Sequence, residues 1–369
     1  MKILMTADTI GGVWSYAMEL CRSLSPMGIE VVLATLGAPL SHAQRLEVAR
    51  LTNVEVYESE YRLEWMASPW ESLAEAGEWL LALERTIVPD VIHLNHLVHG
   101  ELTWRAPVIV VGHSCVYSWW RAVRGGCPDE GWRRYRRRVT RSLKSAAQVV
   151  APSQSMLFAL RCYYGPLERT RVIPNARAPA DYRPAIKEEF VFSAGRLWDE
   201  AKNVSALCDV APALSWPVLL AGPDLGPDGQ ARELNPVTHL GQLTSQQMAH
   251  WLGRASIYAA PARYEPFGLG ALEAGLSGCA LVLGDIDSLR EVWEDSALYV
   301  TPGSTDDLRE ALVDLIAHPR ALPLFGERAR SRALQFNPHR FASAYRDLYR
   351  SLRERRETAP CDSYSSITH

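Results

Sequence analysis

The chain has 369 residues, a length that suits about two domains at roughly 150 residues each. Hydrophobic residues make up 47% and charged residues 22%, so most of the length can bury enough apolar surface to offset its ordering entropy, and general disorder is excluded. A formal net charge of -3 supplies no global basic field, which excludes general nucleic-acid binding.

The first residues, MKILMTAD, run straight into a strand pattern without the basic start and small-residue cleavage site of a signal peptide, which predicts a cytoplasmic protein. Strands are expected at Lys2–Thr6, Ile29–Leu36, Val91–Leu94, Val108–Val111 and Gln148–Ala151, with apolar residues at helical spacing in Ser15–Met27 and Ala74–Thr86 between them. The uncharged stretch Ala106–Trp120 is too short to span a bilayer and is interrupted by His113 and serines. Three prolines in Pro174–Pro184 then break both helix and ladder. The alternation restarts with strands at Phe190–Ser193, Pro217–Leu220, Ser256–Ala259 and Ala280–Leu283, and with helices at Leu269–Leu276 and Asp306–Ile316. Pro338–Leu352 is a strongly amphipathic helix, and the polar tail Glu357–His369 is expected to fray.

Two successive series of strand and helix predict an α/β chain of two Rossmann-like domains facing a central cleft. The expected division is a first Rossmann-like domain over 1–176, a second over 177–337, a C-terminal amphipathic helix over 338–356 and a disordered tail over 357–369. The seven cysteines, at 21, 115, 127, 162, 208, 279 and 361, contain no CxxC pair and read as reduced, mostly buried thiols. Lysine is rare, at 2, 144, 187 and 202 only.

Tyr264-Glu265-Pro266-Phe267-Gly268-Leu269 carries a strand through a glycine turn into a helix whose N-terminus is a natural anion site. Glu265 and Glu273, eight residues apart, can face one cleft and accept hydrogen bonds from sugar hydroxyls. In Ser193-Ala194-Gly195-Arg196-Leu197-Trp198, continuing to Lys202 and Asn203, a second strand ends in a loop with an arginine and a scarce lysine. Thr9-Ile10-Gly11-Gly12 forms a third loop after the first strand. All three lie at carboxyl ends of strands, where open α/β sheets bind ligands.

These segments resemble those of the retaining glycosyltransferases of family 4, which have the GT-B fold. Glu265 to Glu273 matches their E-x7-E motif, and GRLWDEAKN matches their phosphate-binding segment, with an Arg-to-Lys interval one residue longer than in its commonest versions. Pro174-Asn175 and Ser288-Leu289-Arg290-Glu291-Val292 fit as well. The resemblance implies a metal-independent, retaining transfer of a sugar from a nucleotide-diphosphate sugar to a hydroxyl acceptor that is a glycan, lipid-linked or small. It implies that Arg196 and Lys202 bind the diphosphate, that Glu273 holds the ribose and that Glu265 holds the transferred sugar. Backbone amides of Phe267, Gly268 and Leu269 cover the phosphates, His113 reaches the sugar's reacting face and Gly12 sits beside phosphate and acceptor. No cofactor and no metal are implied. Two cations at about 4 Å offer roughly 8 kcal/mol gross to a leaving diphosphate at an effective dielectric near 20, so a divalent ion is not demanded.

Other readings stay beside this one. A nucleotide-sugar epimerase and a non-catalytic binding subunit share the GT-B fold. Asp285-Ile286-Asp287 has the form of a manganese-binding DxD but stands where an ordinary loop is expected, and three-residue spacing does not align His93, His96 and His99 on a strand. Asn203-Val204-Ser205 has the form of a glycosylation sequon, which a cytosolic chain does not use. Arg121–Lys144 carries nine basic residues against Asp129 and Glu130, with Trp119, Trp120 and Trp132 beside them. It is a solvated helix face, or a peripheral contact with the inner membrane face or a phosphorylated acceptor. Acceptor choice is expected to depend on Tyr57–Pro69 and Val116–Trp132.

Overall fold

The computed structural model describes residues 1–358 except 227, 228 and 230. Two parallel sheets organise the chain. The first holds β1 (Lys2–Asp8), β2 (Glu30–Leu36), β3 (Val54–Tyr57), β4 (Val91–Leu94), β5 (Val108–Val111), β6 (Gln148–Ala151) and β7 (Thr170–Val172), in the order β3-β2-β1-β4-β5-β6-β7. The second holds β8 (Glu188–Ala194), β9 (Val218–Ala221), β10 (Thr238–His239), β11 (Ala255–Ala260), β12 (Ala280–Gly284) and β13 (Leu298–Val300), in the order β10-β9-β8-β11-β12-β13. Helices cover both faces: α1 (Gly12–Leu24), α2 (His42–Val48), α3 (Trp70–Ile87), α4 (Val116–Arg124), α5 (Arg133–Ser145) and α6 (Gln154–Tyr164) around the first sheet. Around the second lie α7 (Val204–Val210), α8 (Ser245–Arg254), α9 (Leu269–Leu276), α10 (Asp287–Trp293), α11 (Thr305–Ala317) and α12 (Leu322–Ala333), and α13 (Pro338–Thr358) follows.

The two-sheet α/β architecture agrees with the sequence reading. Central strands are buried on both faces, which is why VIVV reads as an uninterrupted apolar run and VIHL and QVVA carry one polar residue each, His93 and Gln148. Strand order reverses between β1 and β4 in one sheet and between β8 and β11 in the other. Such switch points open crevices beyond the carboxyl ends of the strands.

Helix α1 starts three residues before the expected Ser15, because Gly11 at φ 89° turns the chain directly from β1 into it. It ends at Leu24, and Ser25–Met27 continues as a 3-10 turn around Pro26. Gly125 and Gly126, both at positive φ, divide the basic segment into α4 and α5.

Helix α13 returns to the first domain, where Phe341, Tyr345, Leu348, Tyr349 and Leu352 join the core formed by β1 and α1. The Tyr349 hydroxyl shares a 2.7 Å hydrogen bond with Nδ1 of His93 on β4. Each fully buried side chain of this kind contributes about 1.5–3 kcal/mol of apolar transfer, so the helix is a structural strap between the halves. It runs past the expected Leu352 to Thr358, with Arg353 and Glu357 paired along one face at 3.6 Å. The expected disordered tail therefore begins inside this helix at 357 and 358, and the rest of it lies outside the described residues.

Candidate active site

The expected site residues sit at the two switch points. Arg196 and Gly195 follow β8, Tyr264 and Glu265 follow β11, and Asp8, Thr9 and Gly11 end or follow β1 opposite them. Arg196 donates through Nη2 to Asp199 at 2.7 Å. Asp199 also accepts the indole N–H of Trp119 on α4 at 3.0 Å and the Ala201 amide at 3.0 Å. Burial opposes charge on both groups, but each partner's opposite charge wins: the Arg196 guanidinium is held above its ordinary range and the Asp199 carboxyl below its own. The arginine is thus a fixed cation, oriented from both domains.

The longer interval to Lys202 is taken up by a 3-10 turn, Glu200–Lys202, capped by the Asp199 side chain. That turn brings the Lys202 ammonium onto Oε2 of Glu265 as an ion pair. The other Glu265 oxygen accepts the Gly268 amide at 3.0 Å, so of the three amides expected to face phosphate, that one is already engaged. Gly268 adopts φ 91°, which sets α9 off at an angle that few L residues reach. The side chain of Phe267 turns inward against Phe336, and the whole residue is buried. Leu269 opens α9, whose first amides have no partner within the helix. A pocket in front of this helix start is lined by Gly195, Lys202, Tyr258, Glu265, Gly270 and Ala271 among others.

The first domain closes on this pocket through its glycine loop. A Cβ on Gly11 would lie 2.8 Å from the Arg196 guanidinium, and one on Gly12 would meet the Leu269 side chain at 3.7 Å. Any residue larger than glycine at 11 would displace Arg196. Across the same cleft, Tyr264 receives the Cys115 amide at 3.3 Å and shares a 2.7 Å hydrogen bond with Ser118. Glu291 on α10 accepts the first two amides of α6, from Gln154 at 2.6 Å and Ser155 at 2.8 Å.

Glu273 does not lie free in the pocket. Its carboxylate accepts Nε of Arg177 at 2.7 Å, and Arg177 reaches on to the Ser15 carbonyl at 2.9 Å and towards Glu19 at 4.0 Å. Sequence reasoning missed Arg177, which stands inside the proline-rich break. His113 is partly buried, with Nε2 2.8 Å from Oδ1 of Asn95. Because the Asn95 amide nitrogen donates to the Thr6 carbonyl at 2.7 Å, its oxygen is the acceptor and His113 must donate. The remaining ring nitrogen, Nδ1, is then a hydrogen-bond acceptor, and burial lowers the His113 pKa to about 3, so the ring is neutral near pH 7.

The remaining motifs have local roles. Asp285 pairs with Arg290 at 2.5 Å, and Asp287 begins α10. His93 bonds Tyr349 and His99 contacts the Leu73 carbonyl at 3.1 Å, so the three histidine rings do not converge. Among the described residues no group of three or more His, Cys, Asp or Glu is arranged to hold a metal. Asn203 is buried and donates to the Pro261 and Pro302 carbonyls at 3.0 and 2.7 Å. No helix among the described residues is long and apolar enough to cross a membrane.

The sequence model of the family described as Glycosyltransferase Family 4 matches residues 10–179, and that described as Glycosyl transferases group 1 matches residues 188–318. An MMP alpha-(1->4)-mannosyltransferase of Mycolicibacterium hassiacum is 34% identical over 25% of this chain, and the match spans 23% of that relative's length. A D-inositol 3-phosphate glycosyltransferase of Xylanimonas cellulosilytica is 26% identical over 94% of this chain and 93% of its own. Among solved structures, the sucrose-phosphate synthase of Thermosynechococcus elongatus superposes with a TM-score of 0.80 at 20% identity, covering 95% of this chain and 99% of that one. The Anabaena protein HepE in complex with UDP-glucose gives 0.73 at 19% identity over 95% and 100% of the two chains. These structural likenesses carry the GT-B fold.

Proposed function

Because the chain belongs to the family-4, group 1 glycosyltransferases, we propose that it is a retaining, metal-independent enzyme that moves a sugar from a nucleotide-diphosphate sugar to a hydroxyl acceptor. The observation that carries this reading is that Lys202 and the α9 N-terminus line one pocket with Glu265, while Arg196, next in the chain to the lining residue Gly195, lies within electrostatic reach of Glu265 and against the Gly11 loop of the other domain. Three sources of positive potential around one pocket are what a departing diphosphate needs.

In the proposed donor complex the diphosphate lies between Arg196 and the Leu269 amide. Lys202 turns from Glu265 to the phosphate, and the Glu265 carboxylate is released to accept a hydroxyl of the transferred sugar. Glu273, oriented by Arg177, accepts the ribose hydroxyls with the oxygen that Arg177 does not use. His113, neutral and with Nδ1 free to accept, faces the sugar from the first domain, where Gly12 borders the acceptor. The acceptor's proton passes to the leaving phosphate, so no protein base is required. In this scheme the half over 1–176 presents the acceptor and the half over 177–337 the donor, with 338–356 as the strap between them.

The bound UDP-glucose of HepE makes uridine donors the first to test. A panel of UDP-, GDP- and ADP-sugars, screened by thermal shift with and without EDTA, tests donor class and metal independence together. A donor at 100 times its Kd adds about 2.7 kcal/mol to stability and raises Tm. The reading fails if no nucleotide sugar stabilises the chain, or if EDTA abolishes turnover. Product stereochemistry by proton NMR tests retention.

A cytoplasmic site of action with peripheral membrane contact belongs to the same proposal. Arg134, Arg137, Arg138 and Arg141 of α5 line an external groove with Glu101 as its acid, and this is the surface that would meet an anionic lipid face. Co-sedimentation with phosphatidylglycerol vesicles at low and high salt tests it, and equal recovery with neutral vesicles would remove it.

A further inference from the structure

At the carboxyl ends of the first sheet lies a polar wall that the donor site does not use. Asp8 ends β1, and Glu64 reaches under the same crevice to accept the Leu97 amide at 2.9 Å. The loop that carries Glu64 is fixed by the Gly37 amide, which donates to the Tyr61 carbonyl at 2.9 Å, and by apolar packing of Tyr61, Trp65 and Ile10 around Leu63. The second Glu64 oxygen has no partner, and neither ring nitrogen of His96, in the turn after β4, has one; both residues are more than nine-tenths buried. Buried polar atoms are normally satisfied, so unfilled valences in this number mark a place where a ligand or ordered water belongs.

Charge decides which ligand. Burial raises both Asp8 and Glu64 to about 7, and the nearby Asp8 carboxyl adds to the difficulty of ionising Glu64. Such groups donate as well as accept, which suits hydroxyls. The cations that act on the wall are already committed: Arg196 towards Asp8 is held by Asp199, and Arg138 towards Glu64 is held by Glu101 at 2.9 Å. Arg62 on the same loop turns to the Ala67 carbonyl at 2.7 Å, and Arg45 is paired with Glu58.

We propose that these strand ends form the acceptor site for an uncharged, hydroxyl-rich sugar, recognised by Asp8, Glu64 and His96 beside Tyr61 and Trp65, and closed to an acceptor bearing phosphate at that position. The proposal rests on the glycosyltransferase reading and names the substrate class for its second half. An acceptor phosphate would meet two carboxyls with no free cation to receive it, whereas sugar hydroxyls complete the unfilled hydrogen bonds and the aromatic rings cover a sugar's apolar face.

The test measures transfer from whichever donor the panel identifies. Acceptors are methyl glucoside, methyl mannoside, maltose and trehalose, each against its 6-phosphorylated counterpart. Donor Kd and donor hydrolysis without acceptor are recorded separately. Neutral sugars should be used with kcat/KM at least tenfold above their phosphates, and Glu64→Gln or Asp8→Asn should raise KM for the neutral acceptor and narrow that ratio. The near-isosteric variants keep the fold, which circular dichroism verifies. Equal or better use of the phosphates overturns the proposal. So does donor hydrolysis with no neutral sugar accepted, which leaves the donor reading standing. A chain that binds no nucleotide sugar overturns the donor reading, and this proposal with it.

Discussion

Replacing Arg177 with methionine should destabilise the protein far more than a typical surface change, because its charge ties three segments together. The side chain is 7% exposed and its partners Glu19 and Glu273 are 3% and 14% exposed, so neither carboxylate turns freely to water when the guanidinium is lost, and among the described residues only Glu19 keeps a second cation, Arg22 at 3.8 Å. At an effective dielectric near 20, the 2.7 Å contact with Glu273 and the 4.0 Å contact with Glu19 are worth about 6 and 4 kcal/mol gross. Much of that offsets the desolvation of the ions themselves, and the expected net cost of deleting one partner of such a group is about 3–5 kcal/mol. For a cooperative unit of about 170 residues, unfolding entropy of about 0.36 kcal/mol per degree turns this into a loss of about 8–14 °C in Tm. Differential scanning calorimetry of Arg177→Met, Glu273→Gln and the double variant measures it, and the double should be less destabilised than the sum of the singles. The defect should also shrink between pH 8 and pH 5. Burial already holds the Glu19 carboxyl above its usual range despite Arg177, so without the arginine it protonates more readily and the buried charge disappears. A Tm within 2 °C of the parent, or strict additivity in the double variant, would refute this reasoning.

Other outcomes follow from the same geometry. Lys202→Ala should lower kcat by about 10²–10³-fold, the range for a preorganised group that meets charge developing in the transition state, with little change in folding. Glu273→Ala should raise the donor Kd, measured by calorimetric titration, with the loss confined to the nucleoside portion: pyrophosphate binding alone should be unaffected. Asp8 should make stability fall as pH rises. It titrates at about 7 when folded against 3.8 ordinarily, so the folded state holds the extra proton between those values and the stabilisation fades as pH rises through about 7. Asp8→Asn has no such proton, so wild type should lose up to about 3 kcal/mol relative to the variant between pH 5 and pH 8 in urea titrations. Identical pH profiles would contradict the assignment.

The architecture was readable where burial is complete. Strands β4, β5 and β6 match their expected bounds because burial on both faces leaves short runs dominated by Val, Ile, Leu and Ala, with only His93 and Gln148 polar among them. The edge strands β3, β7, β10 and β13 escaped notice because each is four residues or fewer and pairs on one side only, so VEVY and TRV carry no sustained apolar run. At the site, Arg196, Lys202, Glu265 and Glu273 stood out through their spacing, but their partners did not. Arg177 lies among prolines that read as a linker, and its role depends on a helix 96 positions later in the chain. Asp8 carried a usable signal, a carboxylate closing the first strand of a doubly wound sheet, but the expected strand stops at Thr6 and β1 runs on to Asp8. Asp199 and Trp119 are brought together only by docking of the two domains, which no local pattern encodes.

The central claim is that one diphosphate is held jointly by Arg196, Lys202 and the start of α9. A crystal structure with the nucleotide diphosphate chosen by the donor panel tests it most directly. The account predicts phosphate oxygens within about 2.7–3.2 Å of both cationic side chains and of the Leu269 amide, with Lys202 withdrawn from Glu265 and the ribose on Glu273. A nucleotide bound elsewhere, or bound here with Lys202 still paired to Glu265 and Arg196 out of reach, would contradict it.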